Sequence, residues 1–160
     1  MSIAESPAKE FSQSDREKSA LRATSRALPI ALLRAREKVM EPVRTMLSET
    51  GVTEQKWRTL RIIHEMGGLE QSTIAREACL LLPSLSRILQ AMESDGLVTR
   101  QADRDDRRRI LVDITDKGRA LIRDNIAASN AIYERLEAEF GQQKLDQLLD
   151  LLEDLQRAKL

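Results

Sequence analysis

One histidine, one cysteine, one tryptophan, one tyrosine and two phenylalanines are the whole stock of those residues in this 160-residue chain. A lone Cys79 cannot close an intramolecular disulfide and suits a reducing compartment. So few His and Cys exclude a clustered zinc site and a His-Glu-x-x-His helix, and the chain has no glycine-rich phosphate loop. Carboxylates abound but are scattered over helix surfaces, so the inventory argues against an enzyme and predicts no cofactor and no metal. No apolar run approaches the roughly 18 residues that a membrane span needs. Residues 1–26 lack the apolar stretch of a signal peptide and mix Ser, Ala and both charge signs, which predicts a flexible amino-terminal arm and a cytoplasmic protein.

What is present is charge in equal measure, 26 Lys and Arg against 26 Asp and Glu, making 32% of the chain. With aromatics at only 2%, this composition predicts a mainly α protein with little sheet. Its length suits a single domain, residues 27–160, behind the arm.

The charge concentrates in one place. Gly96-Leu97-Val98-Thr99-Arg100-Gln101-Ala102 runs into Asp103-Arg104-Asp105-Asp106-Arg107-Arg108-Arg109 and then Ile110-Leu111-Val112-Asp113-Ile114-Thr115. Two β-prone runs bracket a loop that no apolar core would accept, the pattern of a solvent-facing hairpin able to touch a polyanion. The stretch from Glu70 to Ile110 nevertheless holds seven Arg and seven acidic residues. Its arginines must therefore be segregated in space, with Asp103, Asp105 and Asp106 placed to pin them.

Around this hairpin the periodicity is helical. Leu28, Leu32, Val39, Val43 and Leu47 predict a first helix within 27–49, kinked or split at Pro42. Gly51, a Thr53 cap and a Val52/Trp57 staple announce a second, from Glu54 to about Met66. A short third helix is expected over 70–78 and a fourth over 83–94, with Pro83 at its first position and Leu85, Ile88, Leu89 and Met92 turned inward. Two short helices feeding a hairpin make a winged helix-turn-helix over 53–114. Thr115 caps a long fifth helix to about Phe140. A sixth carries Leu145, Leu148, Leu149, Leu152 and Leu155 as a seam read either as internal core or, in preference, as dimer interface.

The order of elements and several motifs resemble the MarR family of bacterial transcription regulators over roughly residues 30–155. These are Thr53-Glu54-Gln55-Lys56-Trp57-Arg58, Pro83-Ser84-Leu85-Ser86-Arg87, Met92-Glu93-Ser94-Asp95-Gly96-Leu97-Val98, the wing's Asp106-Arg107-Arg108, and its exit Ile114-Thr115-Asp116-Lys117-Gly118. Within that family, Ile30-Ala31-Leu32-Leu33-Arg34-Ala35-Arg36-Glu37 and Ala78-Cys79-Leu80-Leu81-Leu82-Pro83-Ser84-Leu85 are similar to the homoprotocatechuate-degradation regulators. The resemblance implies a homodimer held by residues 27–50 and 115–160. It also implies repression of transcription, relieved by a small aromatic or phenolic ligand, in control of aromatic-compound catabolism.

The fourth helix is expected in the major groove of a pseudopalindromic operator, with Ser84, Ser86 and Arg87 at bases or phosphates; the resemblance equally allows Arg87 to hold a wing aspartate. Gln71, Ser72 and Thr73 open the third helix, where they suit a phosphate or simply cap the helix. Arg108 matches the family's tip arginine for the minor groove, braced by Asp106, with Arg104 and Arg107 as phosphate contacts. Arg109 belongs equally well to the strand. For a ligand, the resemblance implies the junction of dimer body and winged unit, which nominates Arg34, Arg36, Trp57 and His64, although such a Trp is as readily core. Cys79, amid apolar neighbours, reads as inert packing rather than a redox sensor. The rival reading is a winged-helix protein-interaction module without specific DNA binding.

Overall fold

Capping residues and glycines mark most of the helix boundaries in a computed structural model, which describes residues 24–104, 106 and 108–159. The expected arm lies outside the described residues, except for a short helical turn, Thr24–Arg26. The chain divides within its first helix, α1 (Leu28–Ser48), into two compact units, one ending at Val39 and the other beginning at Met40.

In the first unit, α1 leaves Leu28, Leu32, Leu33 and Val39 exposed. In the second, α1 continues through Pro42 as one helix, so of the expected kink or split the split does not occur. A proline forfeits one backbone N–H, but Val43, Met46 and Leu47 pack against the core and hold the following turns in helical register.

Thr53 starts α2 (Glu54–Met66), its Oγ1 accepting from the Lys56 N–H at 3.3 Å. Val52 and Trp57 both reach the core on either side of this cap, as a hydrophobic staple requires. Gly67, at φ 83°, ends the helix in a conformation that favours glycine. Leu69–Glu70 then form a strand, β1, before α3 (Gln71–Glu77). This strand departs from the expected helix start at Glu70, because two residues are too few to carry a period-two pattern. After a tight turn comes α4 (Leu82–Ser94), followed by the hairpin β2 (Val98–Ala102) and β3 (Ile110–Ile114). The expected two-stranded hairpin is thus a three-stranded antiparallel sheet, ordered β1-β3-β2, with Leu69 opposite Val112 and Val98 opposite Ile114.

One core unites these elements. Leu60 and Ile63 of α2, Ile74 of α3, Leu85, Leu89 and Met92 of α4, and Val98, Val112 and Ile114 of the sheet are all buried together. The long α5 (Asp116–Phe140) contributes Ile122 to it. By contrast α6 (Gln142–Arg157) buries no residue and packs against α5, with Leu148, Leu149 and Leu151 exposed. The leucine seam is therefore not filled within the single chain, and Ile126, Tyr133 and Phe140 of α5 are exposed as well.

The winged part joins α5 at a crowded junction. Thr115 Oγ1 accepts from the Gly118 N–H at 3.1 Å, capping α5, and donates to the Gly96 carbonyl at 2.7 Å. Its own N–H donates to the Leu97 carbonyl at 3.1 Å. Lys117 Nζ reaches the Asp95 carbonyl at 2.6 Å, and Lys56 Nζ of α2 meets the Asp95 carboxylate at the same distance. That lysine lowers the Asp95 pKa. A Cβ on Gly118 would collide with the Leu97 carbonyl and stand 2.7 Å from Ile114 Cγ1. Gly118→Ala is therefore expected to lower stability by about 1–3 kcal/mol, the usual cost of overpacking. The check is a lower urea midpoint with unchanged slope.

Candidate nucleic-acid interface

The turn between α3 and α4 is closed by backbone alone. The Cys79 N–H donates to Arg76 O at 3.1 Å and the Leu80 N–H to Ala75 O at 2.9 Å, so the last carbonyls of α3 are satisfied. This closure puts Cys79 at φ 51°, in the left-handed region, with its side chain exposed. The expectation of inert packing is thereby corrected. Ala78 and Leu80 turn to the core on either side, while the reversal of the chain at residue 79 points that side chain outward.

Turned this way, α4 buries Leu85, Leu89 and Met92 and presents Ser84 and Arg87 to solvent, with Ser86 half-buried. The Arg87 guanidinium has no hydrogen-bond or ion-pair partner among the described residues, so the alternative of a bond to a wing aspartate is not seen there. At the start of α3, Ser72 is exposed and Gln71 and Thr73 are half-buried. Ser72 donates its hydroxyl to Glu70 Oε1 at 2.8 Å.

The wing loop is organised by its acids. Asp103 accepts from the Asp106 N–H at 3.3 Å, and the Asp103 N–H donates to Arg109 O at 2.9 Å. Asp106 Oδ1 takes both the Arg108 N–H, at 3.0 Å, and its Nε, at 3.1 Å. The Arg108 side chain nonetheless remains 91% exposed. The Arg108 hydrogen bonds also hold the Asp106 carboxyl below the usual carboxylate range. Asp106 thus holds Arg108 and leaves most of it facing solvent. Arg104 is exposed; Asp105 and Arg107 lie outside the described residues.

Two links that sequence reasoning missed tie this wing to the helices. Glu70 Oε2 accepts from Arg109 Nε at 2.9 Å while its other oxygen holds Ser72, so one carboxylate joins the base of the wing to the start of α3. Arg100 of β2 approaches Glu93 of α4 at 3.6 Å, and its backbone N–H donates to Glu93 Oε1 at 3.2 Å. The glutamate and arginine of the first link are separated by 39 positions, and no local pattern pairs them.

Of the nominated ligand residues, Trp57 is buried in the core of α2 and His64 is exposed near that helix's end. In the first unit, Arg34 is exposed, as is Arg36, which pairs with Glu37 at 2.9 Å. A further cation on α2 was not nominated from the sequence. Arg61, one turn beyond Trp57, donates to Glu65 at 2.8 Å and lies beside the Tyr133 phenol of α5. Burial works to lower the Arg61 pKa, but the hydrogen bond and charge of Glu65, together with Tyr133, outweigh it and raise the value. A Trp with Arg and Tyr near it was open to sequence reasoning only through the four-residue spacing of Trp57 and Arg61.

Residues 52–110, the span from the α2 staple to the start of β3, match the MarR family model. Over 128 residues the chain is 39% identical to the homoprotocatechuate degradative operon repressor of Escherichia coli, covering 80% of this chain and 86% of that one. It belongs to the MarR family. Among solved structures, this MarR-family chain is similar to NadR in complex with 4-hydroxyphenylacetate, at 32% identity and a TM-score of 0.76, covering 87% of this chain and 99% of that one. It is also similar to the transcriptional repressor CouR bound to a 23-mer DNA duplex, at 29% identity and a TM-score of 0.74, with coverages of 82% and 93%. The recognised fold is the winged helix-turn-helix of transcription regulators. Among the described residues, no helix is long and apolar enough to cross a membrane.

For this MarR-family wing, the Glu70 link has a measurable signature. Its bonds to Ser72 and then Arg109 lower the Glu70 pKa below the ordinary 4.5. The stability it contributes is complete above that value and is lost as pH falls through the lower, folded pKa. An NMR titration of the Glu70 carboxyl is expected to give a midpoint below 4.5, moving back toward it in Ser72→Ala and Arg109→Gln. A native midpoint at or above 4.5 contradicts the link.

Proposed function

We propose that the protein acts as a homodimer that binds a pseudopalindromic operator through two winged units, represses transcription, and is released by a small aromatic acid in control of aromatic-compound catabolism. The observation that carries the DNA reading is the tip arginine Arg108, braced by Asp106 yet 91% exposed. A guanidinium held out in this way suits a narrow minor groove, whose negative potential is concentrated. Ser84, Ser86 and Arg87 enter the major groove from α4. Gln71, Ser72 and Thr73, with Arg104 and Arg107, meet phosphates, which position the protein without reading sequence. The uncovered leucines of α6 and apolar residues of α5 supply the surface that a second copy covers. Half-sites are then centred about one helical turn, ~34 Å, apart.

The effector reading draws on Trp57, Arg61 and Tyr133. A guanidinium next to the exposed Tyr133 phenol offers a carboxylate partner and aromatic surface together, with the Trp57 indole in the core one turn away. The relative NadR, crystallised with 4-hydroxyphenylacetate, supports that ligand class. Arg34, Arg36 and His64 remain proposed as further polar contacts. A ligand bound here lowers operator affinity only by preferring a conformation that the operator disfavours.

Two measurements test this reading. Titrating the protein against the DNA upstream of its own gene at several salt concentrations, Arg108→Ala is expected to weaken binding and to reduce the slope of log K against log salt by about 1. Unchanged affinity and slope would remove the wing from the interface. Adding 4-hydroxyphenylacetate to the wild type is expected to release the DNA. Arg61→Gln should raise the acid concentration needed by about tenfold or more, the worth of a charge-assisted hydrogen bond, while binding the operator normally without the acid. Acid that binds without altering operator affinity would sink the effector reading.

A further inference from the structure

The residues that open α4 obey neither of the rules that govern helix starts and surfaces. Leu81 occupies the N-cap, a position that favours Ser, Thr, Asp or Asn, and it makes no side-chain capping bond. It is also 77% exposed, and Leu82 after it is 48% exposed, although Leu80 just before them packs against the core. Two adjacent leucines that neither cap nor fill the core break a local rule without structural compensation, and such violations concentrate at functional positions. Their placement is specific. Leu81 at the N-cap and Leu82 at the first position stand at the amino-terminal end of α4, exposed within the same first two turns as the exposed Ser84 and Arg87. In helix-turn-helix proteins it is the amino-terminal residues of this helix that contact base edges.

We propose that Leu81 and Leu82 read thymine, packing against C5-methyl groups in the major groove beside the polar contacts of Ser84 and Arg87. The proposal rests on the regulator reading and adds to it an apolar determinant of operator sequence. The thymine methyl is the apolar group that the major-groove edges of the four bases present, so an apolar pair carried into that groove has this partner. Hydrogen-bond donors and acceptors on the other base edges would instead be desolvated against leucine without compensation, which disfavours them. The leucines therefore favour A·T pairs at the positions they cover and penalise others.

The experiment selects duplexes from a random library with the full-length protein, then replaces each thymine of one half-site, singly, by deoxyuridine and measures affinity by fluorescence anisotropy. Removing one buried methyl is expected to weaken wild-type binding about fourfold at one or two positions. The double variant Leu81→Ser, Leu82→Ala should bind uracil and thymine duplexes equally. Leu81→Ser alone also supplies the missing cap, so it is expected to raise the melting temperature while reducing the thymine preference, which separates loss of reading from loss of folding. Uracil tolerated everywhere by the wild type, or an undiminished uracil penalty in the double variant, overturns the proposal while leaving the regulator reading intact. A selection that returns no preferred sequence overturns the regulator reading, and this proposal with it.

Discussion

The groups read here as touching DNA hang from a contact between backbone and backbone, the approach of α5 to the Leu97 carbonyl that Gly118 permits. Thr115 closes the same point three ways, capping α5 and bonding to the carbonyls of Gly96 and Leu97. Because Leu97 and Gly96 lead from α4 into β2, and Thr115 follows β3, the recognition helix, the wing and the long fifth helix share one rigid knot. Lys56 and Lys117 converge on Asp95 beside it and bring α2 into the same arrangement. Protein interiors transmit displacement because they are close-packed. A change in α2 or α5 near Arg61 and Tyr133 therefore has a short, stiff path to the helix that would read DNA.

Electrostatics is handled locally, not by bulk charge. The chain carries no net charge, yet it presents an arginine at the wing tip, because acids near the wing are paired with particular arginines. Asp106 orients Arg108, Glu70 joins Arg109 to Ser72, and Glu93 meets Arg100. These pairs are exposed or half-exposed, so each contributes modestly to stability. Their effect is to limit the conformations open to long side chains that would otherwise be ordered only on meeting a phosphate.

Much of this was legible in the sequence because its signals are local. Thr53 and Thr115 are caps with their partners three residues away, Val52 and Trp57 form a staple, and Gly67 ends a helix, so α2 and the start of α5 follow from short windows. The Asp106 to Arg108 brace spans two residues and is equally readable. What escaped was short or distant. Strand β1 has two residues, Glu70 and Arg109 meet across 39 positions, and Arg61 finds Tyr133 only when α2 lies on α5. Cys79 was misread for another reason. Its neighbours are apolar, but a left-handed residue at the end of α3 reverses the side-chain direction, and composition carries no record of φ.

The balanced wing also bears on how such a protein spends its time in a cell. A genome offers on the order of 10⁶–10⁹ competing sites, and attraction to them is set by phosphate neutralisation, which is indifferent to sequence. Arginines already engaged by Asp106 and Glu70 carry a carboxylate with them to any phosphate, so random DNA gains less from them than from free cations. A modest number of copies would then be left less diluted over the chromosome and more available to the few places where groove shape and base edges also fit.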